Sequence, residues 1–439
     1  MIFFVLNIDM TLPTDHAHRF ALSDEVHARP PEALTTPSRV SYLALVSPWE
    51  EREAEWQGIC DLARRFGAPA PFPGANHYSG QLGDFRLVWE RHGEFARYTF
   101  IAAGLGSSED PFAEPAIALA PASWIASRPG QVIVAAHAAV VTADDGPSDP
   151  EIVSTALFRG NALVGGPVSD RAAVAFTDLR IHSDGFGRFL IQDRHLTPLQ
   201  AGRLMQRLLE IETYRMMALL ALPVARDLAP FLSERERELA EITDALVAAG
   251  ESDEPVLLER LTRLEAEIES REAANLFRFG AALAYHDLVQ RRISELREER
   301  IQGIQTLREF MERRLVPAMN TCKAVSERQA SLSARVARVT QLLSTRVDVT
   351  RERQNRAVLE SMNRRAKLQL QLQSTVEGLS VAAVTYYVVG LIGYLAKGAS
   401  TAGLPISPEI AMGASIPVVA GAVWLALRGF RKRVAHGEP

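Results

Sequence analysis

The segment Glu25-Val-His27-Ala-Arg29, with His16 and His18 upstream, holds the residue types best suited to chemistry in this 439-residue chain. A histidine beside a carboxylate can ligate metal or shuttle a proton, and Arg29 can clamp a phosphate or carboxylate. The same side chains also fit a helix ending before Pro30, where pairing among them would fix the N-terminal segment. His16 and His18 are two residues apart and share a face only in a strand; with His27 they are the metal candidates. A second row, Asp178, Arg180, His182 and Asp184, alternates along a segment that reads as strand and turn. All four would then share one face, turned to a ligand, to solvent or to a salt-bridged interface. A third set sits in apolar surroundings: Thr385, Tyr386, Tyr387, Gly390, Gly393 and Tyr394 could line a polar path. Gly413, Pro417 and Gly421 recur every four residues, a spacing that lets helices approach closely. Packing of two helices and anchoring at an interface would explain this third set equally.

The elements that must position the third set are two stretches without formal charge, residues 379–396 and 410–427, each 18 residues long. That is the minimum length for a transmembrane helix. Arg351, Arg353, Arg356, Arg364, Arg365 and Lys367 precede the first, and Arg428, Arg431, Lys432 and Arg433 follow the second. The 397–409 connector carries only Lys397 and Glu409. The positive-inside bias therefore places both termini in the cytoplasm and the connector outside. Residues 1–317 carry a net charge of −14, residues 318–377 +6 and residues 378–439 +3. A body this acidic is unsuited to nucleic acid. Its basic neck suits anionic headgroups as well as topology, so the lipid bilayer is the first expected partner. Cys60 and Cys322 give no disulfide framework.

Composition and punctuation divide the rest. Residues 1–196 read as an α+β cytoplasmic domain. Met1–Pro13 reads as a strand rather than a signal peptide, and Trp49–Phe66 as a helix. Phe85–Glu90 and Phe95–Ala102 read as a hairpin around Arg91-His92-Gly93. Val132–Val141, Ile152–Phe158, Ala162–Val168, Ala172–Leu179 and Gly187–Ile191 continue a largely antiparallel sheet. Residues 197–317 are helical; the helix from Thr197 to Ala221 carries Arg203, Arg207, Glu210, Glu212 and Arg215, so it reads as buried in protein rather than in lipid. Residues 318–377 form a long basic neck helix without Pro or Gly. Positions stepping by fours and threes from Met311 to Leu343 make a coiled-coil-like seam, with a kink or break expected at Pro317. Residues 378–427 are the two-helix transmembrane hairpin and 428–439 a basic cytoplasmic tail.

Four boxes carry a resemblance: Asp24 to Pro30, Trp89 to Phe100, Thr177 to Arg180 with Asp184 to Arg188, and Val376 to Gly390. They resemble a family of uncharacterised proteobacterial membrane proteins, a domain of unknown function, over nearly the whole chain. His16-Ala-His18-Arg19 departs from the His-Pro-x-Arg expected there. The layout is also similar to the CorA-type metal-ion transporters, which pair a cytoplasmic α/β domain with a long helix entering the first of two C-terminal spans. Those assemble as pentamers around a pore. Their Gly-Met-Asn signature is missing here, where Gly393-Tyr-Leu-Ala-Lys397-Gly-Ala-Ser400 stands instead. Lys397 would repel a divalent cation at a pore mouth.

No Gly-x-Ser-x-Gly, phosphate loop, Cys-x-x-Cys or dinucleotide fingerprint occurs, so no enzyme class is indicated. The expectation is a homo-oligomeric inner-membrane protein of CorA-like layout that passes or gates a small ion. The alternative is a membrane-tethered scaffold or sensor. A metal-dependent enzyme built on Glu25 and His27 is the third reading, and a divalent cation stays open as cofactor.

Overall fold

The computed structural model describes residues 14–20, 22–23, 31–107, 110–144, 149–402, 404–405 and 407–435. The strand expected at Met1–Pro13 and the Glu25, His27 and Arg29 box lie outside these. The chain divides into two units, Met1–Ala245 with Glu259–Val339, and Leu246–Leu258 with Thr340–Pro439.

The first unit is built on one eight-stranded sheet in the order β2-β3-β4-β1-β5-β8-β7-β6. The strands are β1 (Ser38–Val46), β2 (His77–Leu82), β3 (Phe85–Arg91), β4 (Phe95–Ala103), β5 (Gln131–Thr142), β6 (Val164–Val168), β7 (Ala173–Thr177) and β8 (Gly187–Asp193). All neighbours are antiparallel except β5 and β8. The parallel pair is reached by a crossover that contains β6 and β7. In β1, Val40, Tyr42 and Ala44 are buried on one face, and Leu43 and Leu45 on the other. A strand covered on both sides reads as a near-continuous apolar run, which the sequence has from Tyr42 to Val46.

Against the Leu43 face lie α1 (Arg52–Arg65), α2 (Ala122–Ala126) and α3 (Pro150–Leu157). Ile59 and Leu62 of α1 and Trp124 of α2 join Leu43, Trp89, Tyr98 and Phe100 in one core, while Val153 and Leu157 of α3 join Val141, Phe176 and Leu190 in another. The expectation of a strand at Ile152–Phe158 is corrected: this segment is helix α3. Asp149 caps it by accepting from the Glu151 amide, and Pro150 opens it. Val153 and Leu157 are four apart and therefore share its buried face.

Across the opposite face runs α4 (Pro198–Leu219), opened by a Thr197/Gln200 capping box and lying against β5 and β8. Helices α5 (Ala221–Ala248), α6 (Glu254–Leu296) and α7 (Leu307–Thr401) follow. Length and composition make three segments long and apolar enough to cross a membrane, within Pro198–Ala248, Leu307–Thr401 and Pro408–Ala426, where two were expected. The first places Leu204, Leu208, Ile211 and Met217 in protein contacts, and the ion pairs described below tie it to the sheet. Within this unit Met311, Leu315, Cys322, Val325, Gln329, Leu332 and Val336 of the expected seam are buried, while Ala318 and Val339 are half-buried. Arg328 of α7 binds Glu236 of α5, and Arg235 of α5 binds Glu267 of α6 at 3.0 Å. The helix is not broken at Pro317, which is exposed: α7 continues through it.

In the second unit, Arg346 of α7 pairs with Glu254 at the start of α6 at 2.5 Å. From Arg351 to Val376 every residue of α7 is exposed. Further on, Val389, Gly393 and Ala396 are buried, and Gly393 sits so close to Met412 of α8 (Pro408–Ala435) that a Cβ there would lie 2.5 Å from its sulfur.

Candidate functional site

The six residues singled out on the first apolar helix, Thr385, Tyr386, Tyr387, Gly390, Gly393 and Tyr394, line one groove of about 940 Å³. Lys397 on α7 and Glu409, Met412 and Ile416 on α8 complete it. The groove exists because Gly393 lets α8 approach on one side while Gly390 leaves open space on the other. Tyr386 and Tyr387 meet edge to face at 5.8 Å, and the Thr385 hydroxyl is buried without a hydrogen-bond partner. The groove thus brings the Thr385 hydroxyl and the tyrosines of α7 together with one charge from each helix, Lys397 and Glu409. Gly413 and Gly421 are exposed on α8 and line no part of it.

The row Asp178, Arg180, His182 and Asp184 is corrected. Its segment is the loop between β7 and β8, and its residues do not share a face: Asp178 and His182 are buried, Arg180 and Asp184 exposed. The Asp178 carboxylate meets His182 Nε2 at 2.9 Å and accepts from the Asn161 amide at 2.8 Å and from the Arg180 backbone at 3.2 Å. Asp184 accepts from the Phe186 amide. These contacts shape a loop, and they stack Phe186 on His137 at 3.9 Å. His137 Nδ1 in turn meets Ser41 Oγ at 3.0 Å. A nucleophile-and-base pairing is present in residue type, but Ser41 is wholly buried and its oxygen also accepts from the Ile117 amide. His16 and His18 are exposed in a turn. Among the described residues no group of three His, Cys, Asp or Glu side chains could hold a metal ion.

Burial pushes the His137 pKa from 6.5 down to about 4; Asp184 opposes this and Arg188 adds to it. The unfolded chain then binds the proton more readily. His137 contributes stability fully above pH 6.5, and loses it as pH falls toward 4. The imidazole C–H resonances of His137 are expected to stay at their neutral positions through neutral pH and mildly below it. A titration midpoint near the free value would contradict its burial.

Sequence reasoning missed a buried ionic cluster on the α4 face. Arg97 of β4 binds Glu90 of β3 and, at 3.0 Å, Glu210 of α4. Glu210 also accepts from Arg292 of α6 at 2.5 Å and from Gln206 at 2.9 Å. Burial raises the Glu210 pKa, but Arg97, Arg292 and the Gln206 hydrogen bond outweigh it and hold the carboxyl below its usual range. On the other face, Arg91 binds Glu55 and Ser47, all buried. Glu94 binds Arg278 and, at 3.1 Å, Tyr285 of α6. The Trp89 to Phe100 box therefore supplies charges to both faces of the sheet and to α6. A cavity of about 50 Å³ lies beside Glu90 and Arg97, on the scale of one or two waters, and the neighbouring charges are already paired. The signal was the alternation Glu90, Arg91 and Arg97, Tyr98 inside an apolar hairpin: charges at positions where strands bury both faces demand partners.

The chain belongs to a family of proteins of unknown function, DUF3422, whose profile matches residues 14–434. No curated protein and no solved structure matches it.

Proposed function

We propose that this is a homo-oligomeric inner-membrane protein in which residues 379–396 and 410–427 form a transmembrane hairpin and pass a small ion under control of the α/β domain. The observation that carries the reading is the groove. Thr385, Tyr387, Gly390 and Gly393 line it together with α8, and the buried Thr385 hydroxyl would find no hydrogen-bond partner in lipid. Two further features support it. Basic residues flank both spans on the side assigned to the cytoplasm. The order of α/β domain, long helix and two spans is that of CorA-type transporters, although this is analogy of layout alone. Lys397 and Glu409 at one end of the groove place one charge of each sign there.

Purified protein in liposomes tests this. Flux of a monovalent or divalent ion is expected from the unaltered chain, and Gly390→Trp, which fills the groove, is expected to abolish it. Silence of the unaltered chain toward every cation and anion tried would leave the second reading, a membrane-tethered scaffold. That reading is favoured by the exposed apolar residues Val358, Leu359, Met362 and Leu372 on α7. The metal-dependent enzyme reading would need stoichiometric bound metal that is lost in His27→Ala.

A further inference from the structure

Residues 351–376 of α7 are exposed on every side, yet they are not uniform around the helix. Beginning at Leu359, positions seven apart read Leu359, Ala366, Gln373, Ser380, Tyr387 and Tyr394. The interleaved series from Met362 to Gly390 completes a repeat of threes and fours, and neither series contains a charged residue. Every charge on this stretch, from Glu360 and Arg364 through Lys367 to Glu377, falls outside it. This seam is out of phase by two residues with the seam that ends at Leu343, so it is a different face of the helix. It enters the groove without interruption, since Tyr387, Gly390 and Tyr394 belong to both.

We infer that this seam is where α7 meets the same segment of further copies of the chain, parallel and in register. A helix gains most of its stability from packing an apolar face, and this one has no such packing within its own chain over the 18 residues from Leu359 to Val376. A second copy suits the seam better than a different partner because its polar members are self-complementary. The amides of Gln369 and Gln373 and the hydroxyl of Ser380 each both donate and accept, so each can pair with its own counterpart. Charge agrees. From Leu359 onward, the flanking positions of a parallel pair oppose Val358 to Asn363, Arg365 to Leu370 and Leu372 to Glu377, which brings no like charges together; one heptad earlier Arg351 would face Arg356 and Glu352 would stand on the seam, so the seam begins at Leu359. Parallel orientation rests on the reading of 379–396 as a span, because copies inserted the same way enter the bilayer in the same direction. Buried polar residues on such a seam fix register at some cost in stability.

Single cysteines in the full-length protein, oxidised in native membrane vesicles, test the inference. Cys60 and Cys322 are buried and are replaced by serine in the background. Ala366→Cys and Gln373→Cys are expected to give a disulfide-linked dimer. Gln371→Cys and Ser374→Cys, equally exposed but off the seam, are expected to give several-fold less. Equal yields at all four positions, or no dimer at the seam, would overturn it. Dimers at the seam in a protein that conducts nothing would keep the assembly and remove the pore. A protein that resists carbonate extraction but gives no seam dimer would remove the assembly and keep the membrane anchor.

Discussion

Replacing Glu210 with alanine is expected to destabilise the sheet unit by about 3–5 kcal/mol, the range for breaking a buried ion pair from one side. The carboxylate lies on α4 with only 5% of its side chain exposed, and it holds Arg97 of β4 and Arg292 of α6 together. Without it, the buried Arg97 guanidinium keeps only Glu90, and the partly buried Arg292 keeps only Glu295. Removing an exposed pair such as Arg263 and Glu259 should change stability by well under ~1 kcal/mol. Thermal unfolding of the detergent-solubilised protein reads the difference, and equal melting of the two variants would show that the cluster is not a clamp. The pH dependence carries the same signature. Because Glu210 is held below its ordinary 4.5, the unfolded chain binds more protons just under that pH. Its stabilisation is therefore complete above 4.5 and is lost as pH falls below it. Glu210→Gln keeps the shape and should flatten that acid limb.

The contrast between these residues and the strands explains what the sequence could disclose. Val132–Val141 was legible as a strand because burial on both faces writes itself as a local apolar run. The long helix was legible because Met311 to Leu343 repeats in threes and fours. Strand β2 was not, since its alternation of Tyr78, Gly80 and Leu82 with His77, Ser79 and Gln81 is too polar to stand out. Segment 150–157 misled because Ile152 and Val153 favour strands in isolation, while Asp149 and Pro150 set a helix start. The partners of Glu210 lie 113 and 82 residues away, and no local pattern announces such a pairing. The groove residues were found at once because polar groups in an apolar helix are locally conspicuous. The Asp178 row failed for the opposite reason: alternation in a loop has no face.

The joint between the sheet and α7 gives the other large expected effect. Edge strand β6 is not bare. The Gly165 amide donates to Gln305, and the Glu299 amide donates to Pro167, so the connector between α6 and α7 lies along the strand. Glu298 on that connector accepts from the amides of Leu307 and Arg308, capping the start of α7. Burial raises the Glu298 pKa, and the two amides pull against it. Two glycines permit this arrangement. Gly165 has φ +136°, and a Cβ there would lie 2.0 Å from the Ala175 carbonyl of β7; at Gly166 it would lie 2.3 Å from the Glu299 carbonyl. Neither neighbour is a side chain that can swing away. Gly165→Val is therefore expected to cost about 3 kcal/mol or more, from strain and overpacking together. Gly160→Ala, also at positive φ but in open space, should cost only its backbone strain, roughly 1 kcal/mol. Limited proteolysis distinguishes a local effect from a global one. If β6 holds the connector, cleavage between 297 and 306 should rise sharply in the valine variant before the rest of the sheet is attacked. Cleavage unchanged there, in a protein that has nonetheless lost stability, would mean that α7 is held at its base by its helical neighbours rather than by the sheet edge.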